Sequence, residues 1–260
     1  MAFGADGTLE AVSDTGSWVR LRLAHDAAGT LTGVAGLAYG ALHDAAGRAL
    51  AGKREADAEE LTALADGGVL VAFERTHRLW RYPAGAGLAG RPEPAAAPPG
   101  VRAAEPNRGM EAIAQLADGR LLVLAEELRD GNGDLTGWLG DPASGDWRPL
   151  SLAATEGFVP TGLARLPDGD LVLVERSFNA ALMLLKTRLS RIRAADIRAG
   201  ARLEPEELAR LVPPLTNDNL EAVATRRGPG GETLIYVLSD DNFNHGLQRT
   251  LLLQFALPGD

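Results

Sequence analysis

Four acidic positions recur at the ends of apolar runs, and their spacing brings them into pairs. Between Met110 and Glu126 the chain reads as a hairpin whose turn centres on Asp118 and Gly119. Counting outward from that turn sets Glu111 opposite Glu126, and directly opposed residues hold their Cβ atoms about 5 Å apart. A turn centred on Gly67 pairs Glu60 with Glu74 in the same way. A third hairpin sets Glu175 opposite Gly162 or Thr161, and a fourth brings Glu221 near Asp240. Two carboxylates about 5 Å apart repel by roughly 3 kcal/mol at an effective dielectric of about 20. A bound cation, protonation or arginine pairing must offset that repulsion. An all-oxygen donor set without cysteine or clustered histidine selects Ca²⁺ or Mg²⁺ over zinc.

The expectation is therefore a calcium site at Glu60, Glu74, Glu221 and Asp240, with Glu111, Glu126 and Glu175 as catalytic carboxyls. Arg54, Arg75 and Arg176 are the candidate substrate-binding cations, with Lys53 and His77 as further candidates. Arg forks match phosphate oxygens, so a ring of acids, arginine and metal suits ester or phosphoester hydrolysis. Neighbouring strand residues point to opposite faces, so Arg75 and Arg176 join Glu74 and Glu175 only where the strands end.

What positions these residues is a repeat. Four segments share an apolar run, an Asp-Gly turn or near relative, and a second apolar run ending in acid: 60–74, 110–126, 161–175 and 220–240. A partial fifth copy opens the chain at Asp6–Asp14. Asp-Gly accepts the positive φ angles of tight hairpins, and a third apolar strand follows most copies. Three or four strands in each repeat of about fifty residues give an all-β propeller of five visible units, with five or six blades. Inner propeller strands line a central channel, so the acids converge on one mouth of it. Residues 1–260 form a single propeller domain, with a helix-like insertion over 198–212 and a Pro-rich surface loop from Arg91 to Pro106. The opening copy begins at the second strand of its hairpin, so an inner N-terminal strand is expected to be missing.

Bulk composition narrows the classes further. The net charge of −9 argues against a nucleic-acid partner. No run of 18 apolar residues is present, so no helix is expected to span a membrane. The absence of cysteine excludes disulfides and thiolate catalysis. The first residues carry neither a basic stretch nor an apolar core of signal-peptide type, so no signal peptide is expected in this chain. Asp130–Asp134 copies the first ligands of an EF-hand loop but has Leu135 in place of its glycine, which favours a polar turn. There is no Gly-x-Ser-x-Gly elbow, which disfavours a serine-hydrolase triad.

Several stretches occur together in order: Ser13-Asp14-Thr15-Gly16-Ser17-Trp18, Asp57-Ala58-Glu59-Glu60-Leu61, Phe73-Glu74-Arg75, Gly109-Met110-Glu111-Ala112, Val174-Glu175-Arg176, Asn217-Asp218-Asn219-Leu220-Glu221 and Ser239-Asp240-Asp241-Asn242. In these the sequence resembles the phytase-like β-propeller family described as "esterase-like activity of phytase". The resemblance implies a propeller, a bacterial periplasmic or secreted setting, and hydrolysis of esters or phosphoesters. The expectation is a monomer acting on a small-molecule ester or phosphoester with calcium. A lactonase-like metal hydrolase and a non-catalytic propeller stabilised by calcium are the alternatives.

Overall fold

The computed structural model describes every residue except Arg102, Ala103, Asn107, Glu156, His245, Gly259 and Asp260. Among the described residues the strands form five small sheets arranged as a β-propeller. The first holds β1 (Ala2–Phe3), β2 (Leu9–Ser13), β3 (Ser17–His25) and β4 (Leu31–Ala41). A short helix, α1 (Lys53–Ala56), leads to the second: β5 (Ala58–Ala63), β6 (Val69–Phe73), β7 (Arg78–Tyr82) and β8 (Glu93–Ala95). The third holds β9 (Met110–Gln115), β10 (Leu121–Arg129), β11 (Leu135–Asp141) and β12 (Asp146–Leu152), and the fourth begins with β13 (Val159–Arg165), β14 (Leu171–Asn179) and β15 (Leu184–Ile192). After these, β16 (Arg202–Leu203) returns to pair in parallel with β12, and β17 (Glu206–Leu211) completes the fourth sheet beside β15. The last sheet is β18 (Leu220–Arg227), β19 (Thr233–Ser239) and β20 (Leu252–Leu257).

The repeat works as its residues dictate. Each turn Asp accepts the amide two residues on: Gly68 to Asp66 at 2.9 Å, Arg120 to Asp118 at 3.0 Å and Asp170 to Asp168 at 3.0 Å. Gly119 and Gly169 then take φ values of 89° and 100°, which suit glycine. In the later blades the second strand opens with an apolar run, as in Val69–Phe73, because both its faces are covered by neighbouring blades. Five hydrophobic clusters fill the five blade interfaces, so the core is a ring of wedges. Innermost strands touch in ring order: β1 with β5, β5 with β9, β9 with β13, β13 with β18, and β18 with β1.

Three expectations are corrected. Residues 198–212 carry strands: Glu206–Leu211 pairs antiparallel with β15, where Arg191 faces Glu206 and Thr187 faces Leu211. Its Glu, Ala and Leu favour helix, but the open edge of β15 offers backbone partners that override a weak propensity. The Pro-rich stretch supplies an outer strand, β8, rather than loop alone; Arg102 and Ala103 within it lie outside the described residues. The inner place of the first blade is filled by β1, which pairs Ala2 with Glu10 and Phe3 with Leu9.

Candidate functional site

The inner strands of four blades share one irregularity. In β9, Met110 pairs with Ala125 and Ala112 with Leu124, leaving Glu111 as an extra residue between them. The same one-residue bulge isolates Glu59 in β5, Thr161 in β13 and Glu221 in β18. A bulge aims its extra side chain out of the ladder. Here four such residues stand at equivalent positions near one end of the channel, and three are acids.

A second ring follows from the middle strands. Just past the pairs Ala58–Phe73 and Met110–Ala125, the Glu74 amide donates to the Asp57 carbonyl at 2.9 Å and the Glu126 amide to Gly109 at 3.2 Å. Asp240 stands in the same relation to Asn219, at 3.0 Å. Arg176, facing Val159, takes this place in the fourth blade. Its Nη1 donates to Glu221 Oε1 at 2.9 Å and to the Asn219 amide oxygen, and its Nη2 donates to Glu126 Oε1 at 3.1 Å. One guanidinium thus ties the third, fourth and fifth blades.

Expected opposition between Glu111 and Glu126, and between Glu60 and Glu74, is corrected by the register. The turns centre on Asp66 and Asp118, since Ala63 pairs with Val69 and Gln115 with Leu121, so Glu60 pairs with Ala72; past these pairs the bulge at Glu111 shifts the count once more, and Glu126 lies beside Gly109. Glu60 turns away from the acids at the mouth and meets the Met1 ammonium at 2.5 Å. Burial pushes its carboxyl up to about 7, against the pull of that ammonium. Glu175 is not brought to the mouth. It sits within continuous β14, so alternation sends Arg176 to the channel and Glu175 to the opposite face, where Arg188 grips it at 2.6 and 2.8 Å and Ser190 at 2.8 Å. Arg54 stands exposed on α1, its carbonyl accepting the Thr76 hydroxyl at 3.3 Å.

Arg75 does reach the site. The β6 strand ends at Phe73, and Arg75 adopts a left-handed φ of 56°, so its Nε donates to Asp57 Oδ2 at 2.6 Å. Lys53 meets Asp57 at 3.0 Å and Asp14 at 2.5 Å, and its ammonium is held well above its usual range despite burial, by bonds to Asp14 and Asp57. His77 is buried, with Nε2 on the Glu105 carbonyl at 3.1 Å. The Asp130–Asp134 stretch is a turn in which Asp130 accepts its own loop amides and Asp134 pairs with Arg202.

Asp57, Glu59 and Glu74 each offer an oxygen such that all three lie within 4.8 Å of one another, and they could hold a metal ion. Oxygens on opposite sides of a calcium ion, each 2.3–2.6 Å from it, would be about 5 Å apart, so this group fits that ion. Asp57 and Glu74 are buried, which adds a desolvation cost that a cation relieves. Burial and the neighbouring Glu74 and Asp57 hold the Glu59 carboxyl well above the ordinary range. Burial, with Glu59 and Glu74, does the same to Glu111. Glu126 is raised by burial although Arg176 pulls it down, and Glu221 is pushed up to about 7 by burial against Arg176.

Asp57 and Glu59 were not among the expected ligands, yet a signal existed. Glu59, Glu111 and Thr161 each lie seven residues before their turn aspartates, Asp66, Asp118 and Asp168. Two cavities open here. One of about 830 Å³ is bordered by Glu126, Arg176, Asn219, Phe178, Met183 and Leu247. The other, about 320 Å³, is bordered by Asp14, Trp18, Tyr39, Glu59, Glu221 and Asp240.

The family model described as "Phytase-like: Esterase-like activity of phytase" matches residues 1–243. No curated protein matches the sequence. Among solved structures, the chain is similar to a putative gluconolactonase at 13% identity, TM-score 0.49, covering 98% of this chain and 72% of the other. An endo-arabinase from Bacteroides thetaiotaomicron matches at 14% identity, TM-score 0.48, over 100% and 95% of the two chains. The PQQ-bound aldose sugar dehydrogenase of Streptomyces coelicolor matches at 15% identity, TM-score 0.46, over 97% and 92%.

Proposed function

The chain belongs to the phytase-like family described as esterase-like activity of phytase, and from that premise we propose that it is a calcium-dependent hydrolase of phosphoesters or other esters, working at the acidic mouth of the propeller. The observation that carries this reading is the adjacency of two unlike features. A three-oxygen cradle at Asp57, Glu59 and Glu74 stands beside Glu111 and Glu126, whose carboxyls are raised and interact with each other. When bound in that cradle, calcium would supply Lewis acidity toward an ester oxygen.

The roles of the two remaining carboxyls follow from their surroundings. Burial, with Glu59 and Glu74, holds the Glu111 carboxyl above the usual range in the metal-free protein, which suits a proton donor to a leaving oxygen. Glu126 touches Arg176, which counteracts burial and favours its carboxylate, so it can accept a proton from attacking water. Arg176 holds Glu126 and Glu221 in place and borders the larger cavity.

The test is a hydrolysis screen over carboxylic esters and phosphomonoesters, with calcium or with EDTA. Turnover should depend on calcium, and Glu126→Gln should lower it by about 100-fold or more. One observation favours a second reading: Arg176 spans three blades, while Asp57 is already met by Lys53 and Arg75. Calcium binding that raises the melting temperature without any turnover would establish a structural propeller and end the hydrolase reading.

A further inference from the structure

The cavity of about 830 Å³ lies beside the acids and has a mixed lining. Glu126, Arg176 and Asn219 border it, as do the apolar Phe178, Met183, Leu185 and Leu247, alongside polar residues of the 217–219 and 242–249 stretches. Its size falls within the range of about 300–1,000 Å³ usual for small-molecule sites.

Three exposed apolar side chains, Phe178, Met183 and Leu247, border this opening. Among the described residues, the large hydrophobic side chains left exposed lie on β4, at the end of β14 (Phe178) or in three connections: Leu182 and Met183 at the β14–β15 turn, Leu215 before β18, and Phe243 and Leu247 before β20. Residues of all three connections border the cavity. Two of these apolar residues occupy backbone conformations that turns ordinarily give to glycine or asparagine: Met183 at φ 47° and Phe243 at φ 54°. Left-handed backbone at a bulky residue costs free energy, as does leaving the side chain in water. Neither cost is offset by packing within the chain, since Met183 is 74% and Phe243 64% exposed. At Met183, which borders the cavity, an apolar ligand portion would offset the cost of exposure.

We infer that this cavity binds the apolar portion of an amphiphilic ester, a medium-length acyl or alkyl group, with the ester carbonyl presented to Glu126 and Arg176. The inference rests on the reading of the mouth as an ester-hydrolysing site and names its substrate class. A short polar ester would leave Phe178, Met183 and Leu247 in water. A chain of about eight carbons would cover them.

The experiment separates the pocket from the chemistry. Binding of butanamide and octanamide, uncharged and resistant to rapid hydrolysis, is measured by isothermal titration on the calcium-loaded full chain. Each fully buried methylene contributes about fourfold in affinity, so a half-covered four-methylene extension gives about tenfold or more. Octanamide should therefore bind about tenfold tighter than butanamide, and Met183→Ser with Leu247→Ser should reduce that ratio to about two. The same ratio should appear in kcat/KM for p-nitrophenyl octanoate against butyrate, with melting temperature checking that the double variant folds. Equal binding of the two amides overturns the inference even if esters are hydrolysed. Preferential octanamide binding that survives the double substitution also overturns it, because the chain would then lie elsewhere. If octanamide binds tighter and the substitutions abolish the preference, while no ester is turned over, the apolar pocket stands and the hydrolase reading fails.

Discussion

Glu59, Glu111 and Glu221 are carboxyls whose charged forms the fold disfavours, and the sign of that effect makes a prediction. Each has its folded pKa raised, so its contribution to stability is fully present below the unfolded value near 4.5 and is lost as pH rises through the folded value. For Glu221 the window runs from 4.5 to about 7. The metal-free protein should therefore melt at lower temperature at pH 7.5 than at pH 5, and calcium should reverse most of the loss at the higher pH. Thermal melts in EDTA and in calcium across that range measure this; a metal-free melting temperature that rises with pH contradicts it. Glu59→Gln tests the cradle directly. It removes one ligand and one source of repulsion, so it should weaken calcium binding by about tenfold while raising the metal-free melting temperature at pH 7.5. At this scale much was legible. Glu74, Glu111, Glu126, Glu221 and Asp240 were drawn to one mouth by hairpin counting alone. Glu60 was chosen over Glu59 because the count centred the turn on Gly67, where the ladder centres on Asp66 and then bulges at Glu59, and Glu175 was chosen because its role as partner of Arg188 requires knowing which face of β14 is which.

The bulge is the element that builds the site, and it is invisible to propensity because any residue can occupy it. It places Glu59, Glu111 and Glu221 toward the channel, and in the fourth blade it places Thr161, whose hydroxyl donates to the Leu220 carbonyl at 3.0 Å. The residue after Thr161 shows how tightly the inner strands approach there. A Cβ at Gly162 would lie 2.7 Å from the Glu221 carbonyl oxygen, a backbone atom that cannot rotate away. Gly162→Ala should therefore push β13 from β18 and destabilise the protein by about 1–3 kcal/mol. Because Glu221 is the neighbouring bulge residue, the same change should weaken calcium binding or turnover, whereas an unchanged melting temperature would mean the strands can separate freely. The turns were the opposite case: Asp followed by Gly states its own geometry, and those hairpins stand where the spacing put them. The stretch 206–211 was misread because its residues prefer helix while an open strand edge, defined only by the assembled sheet, decided otherwise.

A propeller is closed by the interface between its first and last blades, and here that interface is held by side chains more than by shared strands. Gln254 Nε2 donates to the Gly29 carbonyl at 2.8 Å, and its Oε1 accepts the Leu31 amide at 2.7 Å. The Tyr236 ring meets Phe3 edge-on at 5.2 Å, and its hydroxyl lies 2.8 Å from His25 Nε2. Arg226 Nη2 also lies 2.8 Å from His25 Nε2 and 3.2 Å from its Nδ1, and a guanidinium can only donate, so this contact favours the neutral ring with an unprotonated nitrogen toward Arg226. Protonating His25 would set an N–H against the N–H groups of Arg226. Burial and the Arg226 charge accordingly hold the His25 pKa below its usual value. A base with a depressed folded pKa contributes stability that is present above its unfolded value, near 6.5, and lost as pH falls below it. This runs against the trend of the acids at the mouth, so a single melting curve would mix the two. The difference in melting temperature between the wild type and His25→Gln cancels the acids, which both proteins share. That difference should be largest near pH 7.5 and shrink by pH 5, with a smaller protection factor for the Leu31 amide in the wild type at the lower pH. A difference constant across that range would mean that the neutral form of His25 does not help to close the ring.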